Sequence, residues 1–271
     1  MRNRHPPPQP PLPSPPHAYH QAAEERMLSL YLQRAQIPPG AKGLRILDLG
    51  CGWGSFTIFA AQQLPHCTFL MISNSAPQKL HIEARAAKHG LRNITVKTRN
   101  VATMQLDDED RGAFDRIVSV EMMEHMKNYE QLLQKVSQFL KPDGLLFVHI
   151  FTHARASYHF ETKGADDWMG RHFFTGGTMP SHALLKSFQQ HLVLEASWIV
   201  NGRHYGRTCN AWLKKQDDNM PIVRPIFEKT YAMMRLAQRV SVTFFAQVRR
   251  SSGHHVDGKM AWVLLGLCGT V

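Results

Sequence analysis

The sequence predicts an α/β fold, with a doubly wound, mostly parallel sheet of about seven strands and helices on both faces. Three observations carry this. Short strand-like runs alternate with helix-like stretches from residue 44 to residue 151. Those runs are apolar along their whole length, as strands covered on both faces must be. The first of them, "LRILDL", passes straight into a glycine-rich turn, "GCGWGS", and then into a helical stretch.

The elements follow in order. Helical spacing over residues 21–36 puts Met27, Leu28, Tyr31, Leu32 and Ala35 on one side, and "IPPG" ends that helix. "LRILDL" is the first strand, and residues 55–64 the next helix. "CTFLMIS" is the second strand; Pro77 then starts a helix that runs to about His89. "NITVKT" is the third strand, and residues 107–110 form an acidic, solvated loop. "FDRIVSV" is the fourth strand, followed by a helix over residues 129–140 that "KPDG" stops. "LLFVHIF" is the fifth strand. Beyond it comes a long aromatic, glycine-bearing stretch, of a length that is usually functional or disordered. Ser181 caps a helix through Gln190, and "LVLEASWIV" is a sixth strand. Residues 207–216 and 225–247 are helical, and the apolar "GKMAWVLLGLCGTV" offers an edge strand. Three regions result: a Pro-rich disordered tail (1–20), the main domain (21–231) and a divergent C-terminal segment (232–271).

Composition narrows the function. The chain has 271 residues, 43% of them hydrophobic, enough for a substantial core. Cys51, Cys67, Cys209 and Cys268 form no C-x-x-C pair, which argues against a zinc site or a disulfide scaffold and for a reducing, cytoplasmic setting. No apolar run reaches the length of a membrane span, and the Pro-rich start lacks a signal peptide's apolar centre. The formal charge is +11, yet residues 44–150 hold 12 basic against 11 acidic side chains, and residues 201–271 hold 11 against 4. The basicity is thus C-terminal, which ranks nucleic acid last among partners. His149 and His153 stand at an x₃ spacing with no carboxylate at fixed distance, so no metal is expected.

Gly50, Gly52 and Gly54 lie on alternate positions after the first strand. In an open parallel sheet the ligand sits beyond the strands' carboxyl ends, and glycines let backbone approach it. A tight turn without a ligand has the same spacing. The context of apolar strand, Asp48, three glycines and helix resembles motif I of class I S-adenosylmethionine-dependent methyltransferases, a Rossmann-like fold. The resemblance implies that Asp48, Gly50, Gly52 and Gly54 serve the cofactor S-adenosyl-L-methionine. It also implies that the loops after the second and third strands hold ribose and adenine. Those loops offer Ser73, Asn74 and Gln78, then Asn100 and Val101. The hydroxyl and amide set in place of an acid resembles the cyclopropane-fatty-acid-synthase-like branch.

After the fourth strand comes "VEMMEHMKNYEQLL". If Glu121 opens a helix, Glu124 and His125 share its face. Two acids at a helix start with a satisfied histidine fit the same spacing. As chemistry, the cluster suits an amine nucleophile: imidazole removes a proton near neutral pH, and carboxylates stabilise the cation. Together "EMMEHMKNYEQLL", "DGLLFVHIF", "YHFE", "DDWMGRHFFTGGTMPS" and "WIVNGRHY" resemble the coclaurine N-methyltransferase family over residues 24–231. The resemblance implies catalytic roles for Glu121, Glu124 and His125 and a tetrahydroisoquinoline-type amine as substrate. Tyr158, His159, Trp168 and Phe174 are candidates to line its cavity, or else core residues. Beyond residue 231 the resemblance fades. Lipid modification of the cyclopropane-synthase kind is the first alternative; a truncated, non-catalytic cofactor-binding relative is the second.

Overall fold

The computed structural model describes residues 16–105, 107–161, 170, 176–231 and 261–269. Five parallel strands form the frame: β1 (Arg45–Leu49), β2 (Thr68–Ser73), β3 (Ile94–Thr98), β4 (Phe114–Val120) and β5 (Leu140–Thr152). A short ribbon follows, β6 (Tyr158–His159) paired with β7 (Thr178–Met179), and then β8 (Leu192–Asn201) and β9 (Ala261–Gly269). The main sheet has the order β3-β2-β1-β4-β5-β9-β8, with β9 antiparallel to both neighbours. The chain runs outward from β1 through β2 to β3 and then returns to lay β4 on β1's other side. That reversal makes the gap beyond β1 and β4 the topological switch point.

The strands are buried on both faces, as their unbroken apolarity requires. Ile46, Phe69, Val118, Leu145 and Phe147 face one layer; Leu47, Leu49, Ile117, Leu146 and Val148 face the other. Over the first face lie α1 (Pro16–Arg34), α2 (Ser55–Gln63) and α3 (Ala76–Lys88). α4 (Tyr129–Ser137) packs Leu132, Leu133 and Val136 on the second face. Each fully buried side chain of this size contributes about 1.5–3 kcal/mol. Outer helices α5 (Arg203–Asp218) and α6 (Met220–Tyr231) follow β8. Among the described residues no helix is long and apolar enough to cross a membrane.

Several expectations need correction. α1 starts at Pro16, inside the stretch assigned to a disordered tail; residues 1–15 lie outside the described residues. The helix expected from Ser181 to Gln190 is a single 3-10 turn, Leu184–Ser187, whose Leu185 is buried against the second face. "KPDG" lies within β5, where Gly144 lets the strand pass close over Phe114 and Leu140. The acidic loop is not merely solvated: Asp110 is 2% exposed, with Oδ1 2.6 Å from Arg45 and Oδ2 3.0 Å from Lys97. The C-terminal strand is not an edge strand. It pairs Leu265 with Val148 on one side and with Ser197 on the other, leaving β8 at the edge. The predicted helix over 225–247 starts earlier, at Met220; residues 232–260 lie outside the described residues.

Candidate active site

The glycine turn bridges β1 and β2. Gly50 and Cys51 both donate their amides to the Ile72 carbonyl, at 3.1 and 2.9 Å. All three glycines have left-handed φ: +86° at Gly50, +53° at Gly52 and +82° at Gly54. A side chain would be strained at each. Their surroundings differ, however. A Cβ at Gly50 would overlap Met122, and one at Gly54 would come 2.9 Å from Ile82. A Cβ at Gly52 would meet no described atom beyond its chain neighbours within 4 Å. Two of the glycines thus make room for the protein itself, and among the described residues Gly52 alone of the three is bare. Beside it Trp53 is exposed, with its ring edge-on to His81 at 5.2 Å.

Asp48 lies beneath the turn. It is buried, and its Oδ2 accepts from the Thr57 hydroxyl at 2.7 Å. Burial pushes its carboxyl up to about 7, against the opposing effect of that hydrogen bond. Its place is that of a support for α2 and the turn. After β2, the Ser73 hydroxyl donates to Gln78 Oε1 at 2.6 Å, Ser75 caps α3, and Asn74 is exposed. After β3, the Asn100 side-chain oxygen accepts from the Ala102 amide at 2.9 Å. The Val101 carbonyl accepts from Lys135 at 3.3 Å. The residues predicted around a cofactor stand at or just past the carboxyl ends of β1, β2 and β3, and Ser73, Gln78 and Asn100 are bonded within their own loops.

The acid cluster is not on an α-helix. Glu121 leaves β4 at φ +51°, a left-handed corner, and Met123–His125 form a 3-10 turn; α4 begins only at Tyr129. The chain has to turn at the sheet's edge before a helix has space, and Met122 spends that turn packing on Gly50. The acids still stand close enough to interact: Glu124 is 1% exposed and feels the charge of Glu121. Burial first, and the charge of Glu121 second, raise the Glu124 carboxyl well above its ordinary range. The proton of Glu124 is therefore held more tightly than that of a free glutamate. His125 follows on the exposed side of the turn, and partial desolvation lowers its pKa below that of a free imidazole.

Three aromatic groups that sequence reasoning did not assign to the site surround the pair. Tyr31 of α1 is buried, and its hydroxyl is pushed up by burial and by the charge of Glu121. His149 of β5 is buried, and its carbonyl accepts from the Glu121 amide at 2.8 Å. Tyr205 of α5 has its hydroxyl raised by burial, with smaller contributions from Cys209, Glu121 and Glu124. The strict alternation of β5 was the available signal for His149, because it puts residue 149 on the face of Phe147, where α1 packs. His153 does not join it; its Nδ1 accepts from the Ala156 amide at 2.9 Å.

The β6–β7 ribbon leans on this turn: Thr178 donates to the Met126 carbonyl at 3.1 Å and meets the His159 ring at 3.0 Å. Tyr158 is 48% exposed and lies edge-on to Phe160. Trp168 and Phe174 lie outside the described residues.

Residues 15–249 match the family model described as mycolic acid cyclopropane synthetase. An (S)-coclaurine N-methyltransferase of Thalictrum flavum subsp. glaucum is 39% identical over 207 residues, 76% of this chain and 55% of that protein. An (S)-coclaurine N-methyltransferase of Papaver somniferum is 39% identical over 200 residues, 73% of this chain and again 55% of the relative. This chain thus spans about half the length of these relatives. A crystal structure of coclaurine N-methyltransferase bound to N-methylheliamine and SAH superposes with a TM-score of 0.82 at 32% identity, covering 92% of this chain and 71% of that one. With the glycine turn and acid cluster set where the sheet order reverses and the family model matched across most of its length, the chain belongs to the mycolic acid cyclopropane synthetase family, within the class I S-adenosylmethionine-dependent methyltransferases.

Proposed function

We propose that the chain is an S-adenosyl-L-methionine-dependent N-methyltransferase acting on a small cyclic amine of the tetrahydroisoquinoline kind. One observation carries the reading: the buried Glu124 carboxyl, beside Glu121 and next to an exposed imidazole, lies against the glycine turn at the switch point. The names of the similar N-methyltransferases support it, as does the N-methylheliamine bound in the solved relative.

The residues fit the cofactor. Gly52 leaves open space where a side chain would stand, and the neighbouring loops supply hydroxyl and amide groups in place of bulk. Gly50, Gly52 and Gly54 would hold the methionine part, Ser73, Asn74 and Gln78 the ribose, and Asn100 and Val101 the adenine, with Asp48 supporting the turn from below. When bound, S-adenosylmethionine supplies an electrophilic methyl group on a sulfonium.

The chain's own residues prepare the nucleophile. An ammonium has no lone pair, so the amine must first lose its proton. His125, with its pKa lowered by desolvation, is neutral at pH 7 and takes that proton. Such a base contributes about 10²–10⁴-fold in rate. A carboxylate of the Glu121–Glu124 cluster would stabilise the positive charge of the methylated amine. The aromatic Tyr158 beside this turn is placed to contact a flat ring amine. A reducing, cytoplasmic setting belongs to the same reading, since the cysteines form no C-x-x-C pair in the sequence.

A labelled-methyl assay over a panel of cyclic amines tests the reading. Wild type is expected to turn over a tetrahydroisoquinoline, and His125→Ala to lose about 10²–10⁴-fold in kcat/KM. The acidic limb of the wild-type profile should fall below the ordinary imidazole pKa and vanish in the variant. Equal turnover by the two would remove His125 from its role. The family's name points to lipid chemistry as a second reading; a methylene gained by unsaturated phospholipid, with none of the amines methylated, would replace the first. Absence of SAH binding in calorimetry would remove both.

A further inference from the structure

Tyr31 and His149 stand 118 residues apart in sequence, yet the Tyr31 hydroxyl lies 2.7 Å from His149 Nδ1. Both rings are buried, with centroids 5.1 Å apart, and Tyr31 also packs against Phe147 at 5.6 Å and Phe56 at 6.4 Å. Both rings are held neutral. Burial, with the charge of Glu121 second, pushes the phenol far above its ordinary range. Burial, with the positive charge of Arg34 second, pushes the imidazole down to about 3. The neutral phenol and Nδ1 thus share one hydrogen bond, which sets the ring's orientation. The backbone of the same histidine is the next link, because its carbonyl accepts from the Glu121 amide at 2.8 Å. Glu121 is one of two described non-glycine residues with positive φ, and it needs its surroundings to hold it there. Substrate never needs to reach Tyr31 for any of this to matter.

We propose that Tyr31 is a positioning residue: through His149 it holds the corner at which Glu121 leaves β4, and so keeps the Glu121 carboxyl against that of Glu124. The inference rests on the N-methyltransferase reading for its effect on rate, but not for its effect on the Glu124 proton. The groups acting on this corner are Tyr31 and Arg34 from α1, His149 from β5, Glu124 from the 3-10 turn and Tyr205 from α5. Loss of the Tyr31 hydroxyl lets the corner relax and moves Glu121 away from Glu124, and the charge of Glu121 is one of the effects that raise the Glu124 carboxyl. The Glu124 proton then leaves at lower pH.

The experiment uses Tyr31→Phe in the full chain, which removes one oxygen and keeps the ring's packing. SAH affinity by calorimetry is expected to stay within about twofold, KM for the amine within about threefold, and kcat to fall about tenfold, the rate equivalent of one hydrogen bond. Infrared spectra give the second readout. The carboxylic-acid band that Glu124→Gln removes should lose its intensity at lower pH in Tyr31→Phe than in wild type. His149→Asn, which keeps an acceptor for the phenol, should restore most of the rate that His149→Leu loses. Tyr31→Phe combined with His149→Leu should be no worse than His149→Leu alone. If wild type methylates no amine but the band still shifts, the reaction is wrong and the positioning role stands. An unmoved band midpoint overturns the proposal, whether kcat is unchanged or falls together with thermal stability.

Discussion

Asp48 shows how one buried carboxyl sets a pH dependence. Its pKa rises from an ordinary 3.8 to about 7, because burial outweighs the Thr57 hydrogen bond. Below about pH 4 both folded and unfolded states hold the proton, and the group contributes nothing. Between pH 4 and 7 the unfolded chain releases its proton and the folded one does not, so stability falls as pH rises. Above pH 7 the loss is complete and amounts to up to about 4 kcal/mol. Asp48→Asn keeps an acceptor for Thr57 and cannot titrate. It is expected to be more stable than wild type at pH 8, with the gap closing toward pH 4. Urea unfolding at three pH values measures this, and a gap that does not change with pH would contradict it. The residue's type and position after the first strand were legible in the sequence. Its place beneath the turn was not, because burial and the Thr57 contact arise only when α2 folds back over β1.

At the scale of elements, the acidic loop and the post-β4 turn both depart from their local patterns. Asp107 to Asp110 read as a solvated loop because four acidic residues in a row have no apolar periodicity. The sheet instead delivers Lys97 from β3 and Arg45 from β1, and these draw Asp110 inward. Asp110→Asn keeps the shape and removes the charge that both cations face. A cost of about 2 kcal/mol is expected, below the 3–5 of a wholly buried pair because Arg45 and Lys97 reach solvent. Denaturant midpoints check this; Asp107→Asn, on the exposed side, should cost less. The helix expected from Glu121 failed for another reason. Helical spacing in "EMMEH" is real, yet β4 ends against the glycine turn, so Glu121 takes a left-handed corner and Met122 packs on Gly50. Glu124 turns inward and His125 outward, so the single helical face expected for them does not form.

For the molecule as a whole, the placement of β9 decides how the sheet closes. Residues 261–269 fill the space between β5 and β8, so the far C-terminal stretch becomes interior sheet. An interior strand donates and accepts on both sides and tolerates no proline. Leu265→Pro, at a position paired with both Val148 and Ser197, is expected to release β8 and β9 together while β1 to β4 persist. Hydrogen exchange should then show lost protection over residues 192–201 with residues 45–49 unchanged. Retained protection at 192–201 would mean that β8 holds without its neighbour.

The sequence by itself determined the succession of elements, the parallel frame and the place of the switch point. Those follow from local periodicity, from strands apolar on both sides and from glycines after the first strand, all of which are properties of neighbours along the chain. Only the tertiary structure decided which buried rings bond each other, which glycine meets a side chain, and where the last strand lies. Each of these is a contact between residues far apart in sequence: Tyr31 with His149, Gly50 with Met122, and Val148 with Leu265. Desolvation and pairing depend on what the folded chain brings to a point in space, and no local pattern encodes that.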